Sequence, residues 1–160
     1  HWLHHQLVRK STGYSWQIIA FINDPKLMLV WDVLLAGLLL NQERELTALW
    51  VLGTLGFADI SGIILKKTIR RKRPILHSDM EEGYSFPSGH VLGATTMGLI
   101  LLQLFAKDLG MGFIISIVAI WIMVIISRLS LKAHYPSDVI GATSLAIICF
   151  SISQQLFLAI

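Results

Sequence analysis

The stretch MGFIISIVAIWIMVIISRLSLKAHYPSD, residues 111–138, decides how this chain is read. From Met111 to Ile126 only small residues interrupt an apolar run. Ser127 and Arg128 end it, His134 follows six residues after Arg128, and Asp138 four after that. A segment built for lipid thus ends in a cation, a titratable ring and a carboxylate.

The rest of the composition agrees with the lipid reading. Hydrophobic residues make up 54% of the 160, with glycine left out. Soluble domains average about 45–50% with glycine included. Charged residues are 14%, against a usual ~25%. The length suits one domain, residues 1–160. The lone cysteine, Cys149, lies in an apolar stretch, cannot form an internal disulfide, and reads as a packing residue.

Working outward, four further apolar segments accompany Met111–Ser127. Asn23-Asp24-Pro25 reads as a helix start with proline in its first turn. That helix runs to about Gln42, roughly 27 Å at 1.5 Å per residue. The others are Leu46–Leu65, His90–Ala106 and Ser137–Ile160. Segments of this length and polarity predict an all-α integral membrane bundle with five spanning helices. Residues 1–22 mix Trp2, Tyr14 and Trp16 with Arg9 and Lys10, which suits a helix lying at the membrane interface. The chain begins at His1 rather than Met, so a longer natural N-terminus is expected. The cluster His1, His4, His5 reads as a wet or cut end in preference to a metal site.

The connections alternate sides of the bilayer. Residues 1–24, 66–89 and 128–136 share one side, and nearly all of the lysines and arginines lie there. Such a basic face expects an anionic guest. Asp32 and Asp59 sit inside apolar spans, where carboxylates are costly and face the bundle interior or water. Asp59 is seven residues before Lys66, on the same helical face. It either orients the basic side chains or makes a plain helix–helix contact.

Three motifs gather on the basic face. The first is KKTIRRKRP, Lys66–Pro74. Alone it is an ordinary juxtamembrane anchor. The second is PSGH, Pro87–His90, just before a span. Ser88 is a good N-cap, Gly89 lets an anion approach the backbone, and the helix start aims free N–H groups outward. The third is the opening stretch. Pro136 fits the first turn of the last helix, so Asp138 can reach back to a ring nitrogen of His134 and leave the other free to attack. Arg128 offers a planar fork of donors. By this reading His134 has a carboxylate behind it and His90 does not. Each motif has a bland reading, but together they make a nucleophile, an acid and a cradle for a tetrahedral anion.

Lys66-x6-Arg73-Pro74, Pro87-Ser88-Gly89-His90 and Ser127-Arg128-x5-His134-x3-Asp138 resemble the three-part signature of the type 2 phosphatidic acid phosphatase (PAP2) family. That superfamily also holds vanadium-dependent haloperoxidases. The resemblance implies an all-helical bundle, usually with six spans in membrane members, so a first span is expected to be missing here. It implies that His134 attacks phosphorus to form a phosphohistidine, that Asp138 holds the ring, and that His90 protonates the leaving oxygen. Lys66, Arg73, Arg128, Ser88 and the Gly89 N–H would hold the phosphoryl oxygens. No metal or other cofactor is implied, and Asp79, Glu81 and Glu82 read as a solvated loop. The expected partners are the bilayer and a lipid phosphate, with no nucleic acid. The lipid could be phosphatidylglycerol phosphate, phosphatidic acid, undecaprenyl diphosphate or a sugar-lipid phosphate. Counting positive charge places the basic face in the cytoplasm; bacterial relatives face it outward from the plasma membrane, and that orientation is the one expected. A haloperoxidase, a lipid-phosphate binding or transport module, and a purely structural subunit are the alternatives. The first is opposed by the five spans, and the second has no use for the His134–Asp138 pair.

Overall fold

The computed structural model describes residues 16, 18–19, 21–74, 83–131 and 133–159. Four helices organise them: α1 Pro25–Asn41, α2 Glu45–Ile69, α3 Gly89–Ser130 and α4 Pro136–Leu158. No strand occurs among the described residues. Three helices, α2, α3 and α4, are each long and apolar enough to cross a membrane. At 17 residues, α1 reaches only about 26 Å, but it too is apolar all round. It buries Met28, Asp32, Ala36 and Leu39 and leaves Val33, Leu34 and Leu38 more than half exposed. An all-round apolar helix belongs in lipid.

The third and fourth expected spans are the two helical arms of α3, and the chain doubles back between them at Gly110. Gly110 has φ +72°, a left-handed conformation that glycine adopts without steric cost. The two arms then pair in opposite directions. Trp121 Nε1 donates to Thr95 Oγ1 at 2.9 Å. A Cβ on Gly98 would lie 3.3 Å from Ile117 Cγ2. Phe105 and Phe113 meet edge to face at 6.4 Å. The bundle is therefore α1, α2, the α3 hairpin and α4, which restores five crossings.

Helix ends follow local chemistry. Pro25 opens α1, and the Asp24 side chain accepts the Lys26 N–H at 2.9 Å. The α2 helix outruns its apolar stretch by a turn, so Lys66 belongs to its last turn and not to the following loop. Lysines are good helix formers and suit the negative end of a helix dipole. Arg70 then turns left-handed, with its N–H on the Lys66 carbonyl at 3.1 Å. The predicted interfacial helix lies mostly outside the described residues. Within them, Ile19 packs on the core of Ala58, Val91, Leu92, Val124, Val139 and Ala142.

Small residues bring the helices close near the basic face. A Cβ on Gly62 would sit 2.5 Å from Leu92, and one on Gly141 would collide with the Phe86 ring. At the far end, Trp50 packs on Phe150 and Phe157, with ring centroids 5.8 and 5.3 Å apart.

Candidate active site

Three chain segments converge at one end of the bundle. They are the end of α2 with residues 70–74, residues 83–90 at the start of α3, and residues 127–138 joining α3 to α4.

The start of α3 is crowded from two sides. A Cβ on Gly89 would lie 3.2 Å from Pro25 Cγ and 3.5 Å from Lys66 Nζ. The Lys66 ammonium therefore stands at the positive end of α3. Ser88 occupies the N-cap position, yet its hydroxyl makes no capping bond, unlike the sequence expectation. That hydroxyl is buried with no hydrogen-bond partner among the described residues. Its N–H donates to the Asp138 carbonyl at 3.2 Å, tying α3 to α4. A buried hydroxyl of this kind is costly unless a guest satisfies it.

His134 sits in the turn between Ala133 and α4, with its side chain 1% exposed. Its Nδ1 lies 2.8 Å from the Ser85 carbonyl. A carbonyl only accepts, so Nδ1 carries the proton and Nε2 keeps the lone pair. Nε2 faces Arg73 Nη1 at 3.5 Å. The same Nη1 donates to the Ala133 carbonyl at 3.2 Å. Burial pushes the ring down to about 3, the Arg73 and Arg128 charges add to this, the Ser85 bond opposes it, and Lys66 adds a little more. The ring is thus neutral near pH 7. Arg128, at 1% exposure, is among the largest fully buried side chains.

Asp138 stands behind the ring, as expected, but at ion-pair distance and not in a short hydrogen bond: its Oδ2 is 3.6 Å from His134 Nδ1. Oδ2 accepts the Tyr135 N–H at 2.8 Å, and Oδ1 accepts from Arg71 Nη1 at 2.8 Å. The carboxylate is pulled into the helix cap, and the Ser85 carbonyl takes the ring proton. Asp138 remains fully buried and close enough to act on the ring by charge. A second expectation is also corrected. His90 does have a carboxylate nearby, because Asp24 Oδ2 stands 3.9 Å from its Nε2. That pair links the N-cap of α1 to the first turn of α3.

The structure thus brings together Lys66, Arg73, Ser88, Gly89, Arg128, His134 and Asp138, with His90 alongside on the first turn of α3. Sequence reasoning missed Ser85, Arg71 and Asp24. Ser85 acts through its backbone, which residue type does not reveal. Arg71 is one cation in a run of several, and Asp24 already had an explanation as a cap. Asp59 lies within electrostatic reach of Lys66, as their spacing on α2 allowed. Asp79, Glu81, Glu82 and the His1, His4, His5 cluster lie outside the described residues.

Fold and site together define a class: a helical membrane bundle that closes one end with cations, a helix start and a buried histidine. The sequence profile of the PAP2 superfamily matches residues 47–159, and the chain belongs to that superfamily. Two curated relatives are phosphatidylglycerophosphatase B proteins. The one from Haemophilus influenzae is 41% identical over 76 residues, covering 44% of this chain and 31% of the relative. The one from Bacillus subtilis is 31% identical over 131 residues, covering 75% of this chain and 55% of the relative. The chain therefore spans at most 55% of the length of these two relatives. A transmembrane PAP2-type phosphatidylglycerolphosphate phosphatase from Bacillus subtilis superposes with a TM-score of 0.77 at 25% identity, covering 93% of this chain and 78% of that one. Aquifex aeolicus LpxE shares the fold, with a TM-score of 0.72 at 20% identity over 90% of this chain and 86% of that one.

Proposed function

We propose that the chain is a lipid phosphatase that works through a phosphohistidine on His134. The observation that carries this reading is the state of that ring. It is buried and neutral, its Nδ1–H is held by Ser85, and its Nε2 lone pair faces Arg73. A nucleophile that cannot be protonated near pH 7 needs no separate base.

In this mechanism Nε2 attacks phosphorus and the bond to the lipid oxygen breaks. His90 gives its proton to that oxygen, and the lipid alcohol leaves. Water then attacks the phosphohistidine, His90 takes a proton from it, and phosphate departs from Nε2. Lys66, Arg73, Arg128, the Ser88 hydroxyl and the Gly89 N–H hold the phosphoryl oxygens. Phosphoryl transfer needs positioning and charge stabilisation above all, and these groups supply both. The buried Ser88 hydroxyl gains the partner it lacks. Asp138 faces the positive charge that the ring carries once it is phosphorylated.

The names of the relatives make phosphatidylglycerol phosphate the first substrate to try, ahead of phosphatidic acid, undecaprenyl diphosphate and sugar-lipid phosphates. The test is phosphate release from this panel in detergent with excess EDTA. Release that persists in EDTA and is inhibited by vanadate supports the reading. Activity lost to chelator and restored by Mg²⁺ overturns it. In the same reading the site faces outward from the plasma membrane. A Lys67→Cys protein should then react with an impermeant maleimide in intact cells, against a background of buried Cys149. Labelling only after lysis reverses the orientation.

A further inference from the structure

The run Lys66–Pro74 contains a residue that the PAP2 signature passes over. The geometry points to Arg71 as a positioning residue, the joint that holds both partners of the His134 Nδ1 edge in place. The inference rests on His134 being the nucleophile.

One partner is held by main chain. The Ser85 N–H donates to the Arg71 carbonyl at 2.8 Å, and the Ser85 hydroxyl donates to the Lys72 carbonyl at 3.2 Å. These two bonds fix the height of the Ser85 carbonyl that takes the ring proton. The other partner is held by side chain. Arg71 Nη1 donates to Asp138 Oδ1 at 2.8 Å and to Ser137 Oγ at 2.6 Å. Its guanidinium lies over the Tyr135 ring, 4.2 Å from the centroid. Ser137, Asp138 and Tyr135 surround the first turn of α4, directly after His134.

Arg71 acts on the ring through Asp138, Ser85 and Tyr135. Asp138 is fully buried and Arg71 is 36% exposed, so the guanidinium brings a counter-charge from the rim to a carboxylate inside. Breaking such a pair from one side leaves an uncompensated buried charge. Without Arg71, Oδ1 loses its partner, and the carboxylate can turn toward Nδ1 and compete with the Ser85 carbonyl for the proton. The ring then loses its single orientation, and Nε2 no longer points steadily at phosphorus. Misplacement of about 1 Å can cost ~100-fold in rate. The Arg71 guanidinium is already engaged by Asp138, Ser137 and the Tyr135 ring, so KM is expected to change little. Lysine at this position keeps the charge but loses the planar fork and the stacking.

The experiment compares wild type, Arg71→Gln and Arg71→Lys in detergent. It measures kcat, KM and melting temperature on phosphatidylglycerol phosphate, and the ¹⁵N shifts of the His134 ring, assigned against His134→Gln. Wild type should show one tautomer, protonated on Nδ1. In Arg71→Gln, kcat should fall about 10- to 100-fold with KM within threefold, and the Nδ1–H signal should shift and broaden as two acceptors share a proton that stays on Nδ1. Arg71→Lys should recover part of both. A kcat for Arg71→Gln within threefold of wild type, with the ring signal unchanged, overturns the positioning role. So does a loss of activity explained wholly by a lower fraction folded. If Arg71→Gln fails to fold, Arg71→Lys carries the same comparison. The ring signal is read without turnover. An inactive wild type whose Nδ1–H signal still depends on Arg71 defeats the phosphatase reading and leaves the positioning role standing.

Discussion

The two histidines of the site sit in opposite surroundings. His134 is 1% exposed, bonded through Nδ1 to a carbonyl, and pressed on by the charges of Arg73, Arg128 and Lys66. His90 lies on the first turn of α3 with its side chain 13% exposed, and Asp24 stands 3.9 Å from it. Cations and burial discharge one ring. A carboxylate stands beside the other. In the proposed mechanism this difference divides the two rings into nucleophile and acid. Each histidine has a carboxylate, but Asp138 is bound into a helix cap with Arg71, whereas Asp24 is 40% exposed at the rim.

The harshest way to break this division is to remove each ring in turn. His134→Ala should abolish turnover and all acid-quenched phosphoenzyme. His90→Ala should slow cleavage of a lipid phosphate by roughly 10²–10⁴-fold, and by less for an aryl phosphate whose leaving group needs no proton. Labelled phosphate on histidine in His134→Ala would exchange the two roles.

Asp138→Asn probes how much the buried carboxylate does. If it alone fixed the tautomer, the loss would approach the ~10⁴ seen for an amide at the analogous place in a catalytic triad. Here the Ser85 carbonyl fixes it, so the expected fall in kcat is smaller, about 10²-fold. KM should stay near wild type. A melting shift with kcat per folded molecule within threefold of wild type would reduce Asp138 to a helix cap.

Asp24→Asn sharpens the comparison from the other side. Asparagine is as good an N-cap as aspartate, so α1 keeps its start and only the charge near His90 is lost. Because Asp24 is partly exposed, the effect should be modest, about three- to tenfold in kcat on a lipid phosphate. An aryl phosphate should be affected less. Equal loss on both substrates would show that Asp24 does not act through the leaving-group proton.

The smallest effect expected concerns stability. The His134 ring is held at about 3 in the folded protein, against an ordinary value near 6.5. Between those limits the unfolded chain binds a proton that the folded chain refuses. Stability should therefore be unaffected above pH 6.5 and fall as the pH drops toward 3. Melting temperatures across this range, compared with His134→Gln, isolate the contribution, which the variant should lack. Identical acid limbs for the two proteins would mean that the ring protonates freely.

Much of this was legible in the chain itself. Apolar runs with few charges require helices in lipid, because backbone groups there must satisfy one another. The break between the expected spans His90–Ala106 and Met111–Ser127 falls at Gly110. Lys66, Arg73, Ser88, Gly89, Arg128, His134 and Asp138 stood out because their residue types do work that lipid-facing positions do not need. The sequence by itself determined most of the side chains that meet at that end of the bundle, though it did not single out Arg71 or Asp24. It did not determine which atom bonds to which. Ser85 holds His134 with a backbone carbonyl, Asp138 turns to Arg71 and the Tyr135 N–H, and Asp24 reaches His90 from another helix. Those choices depend on distances of a few tenths of an ångström between segments far apart in sequence, and only the packing of α1 through α4 sets them.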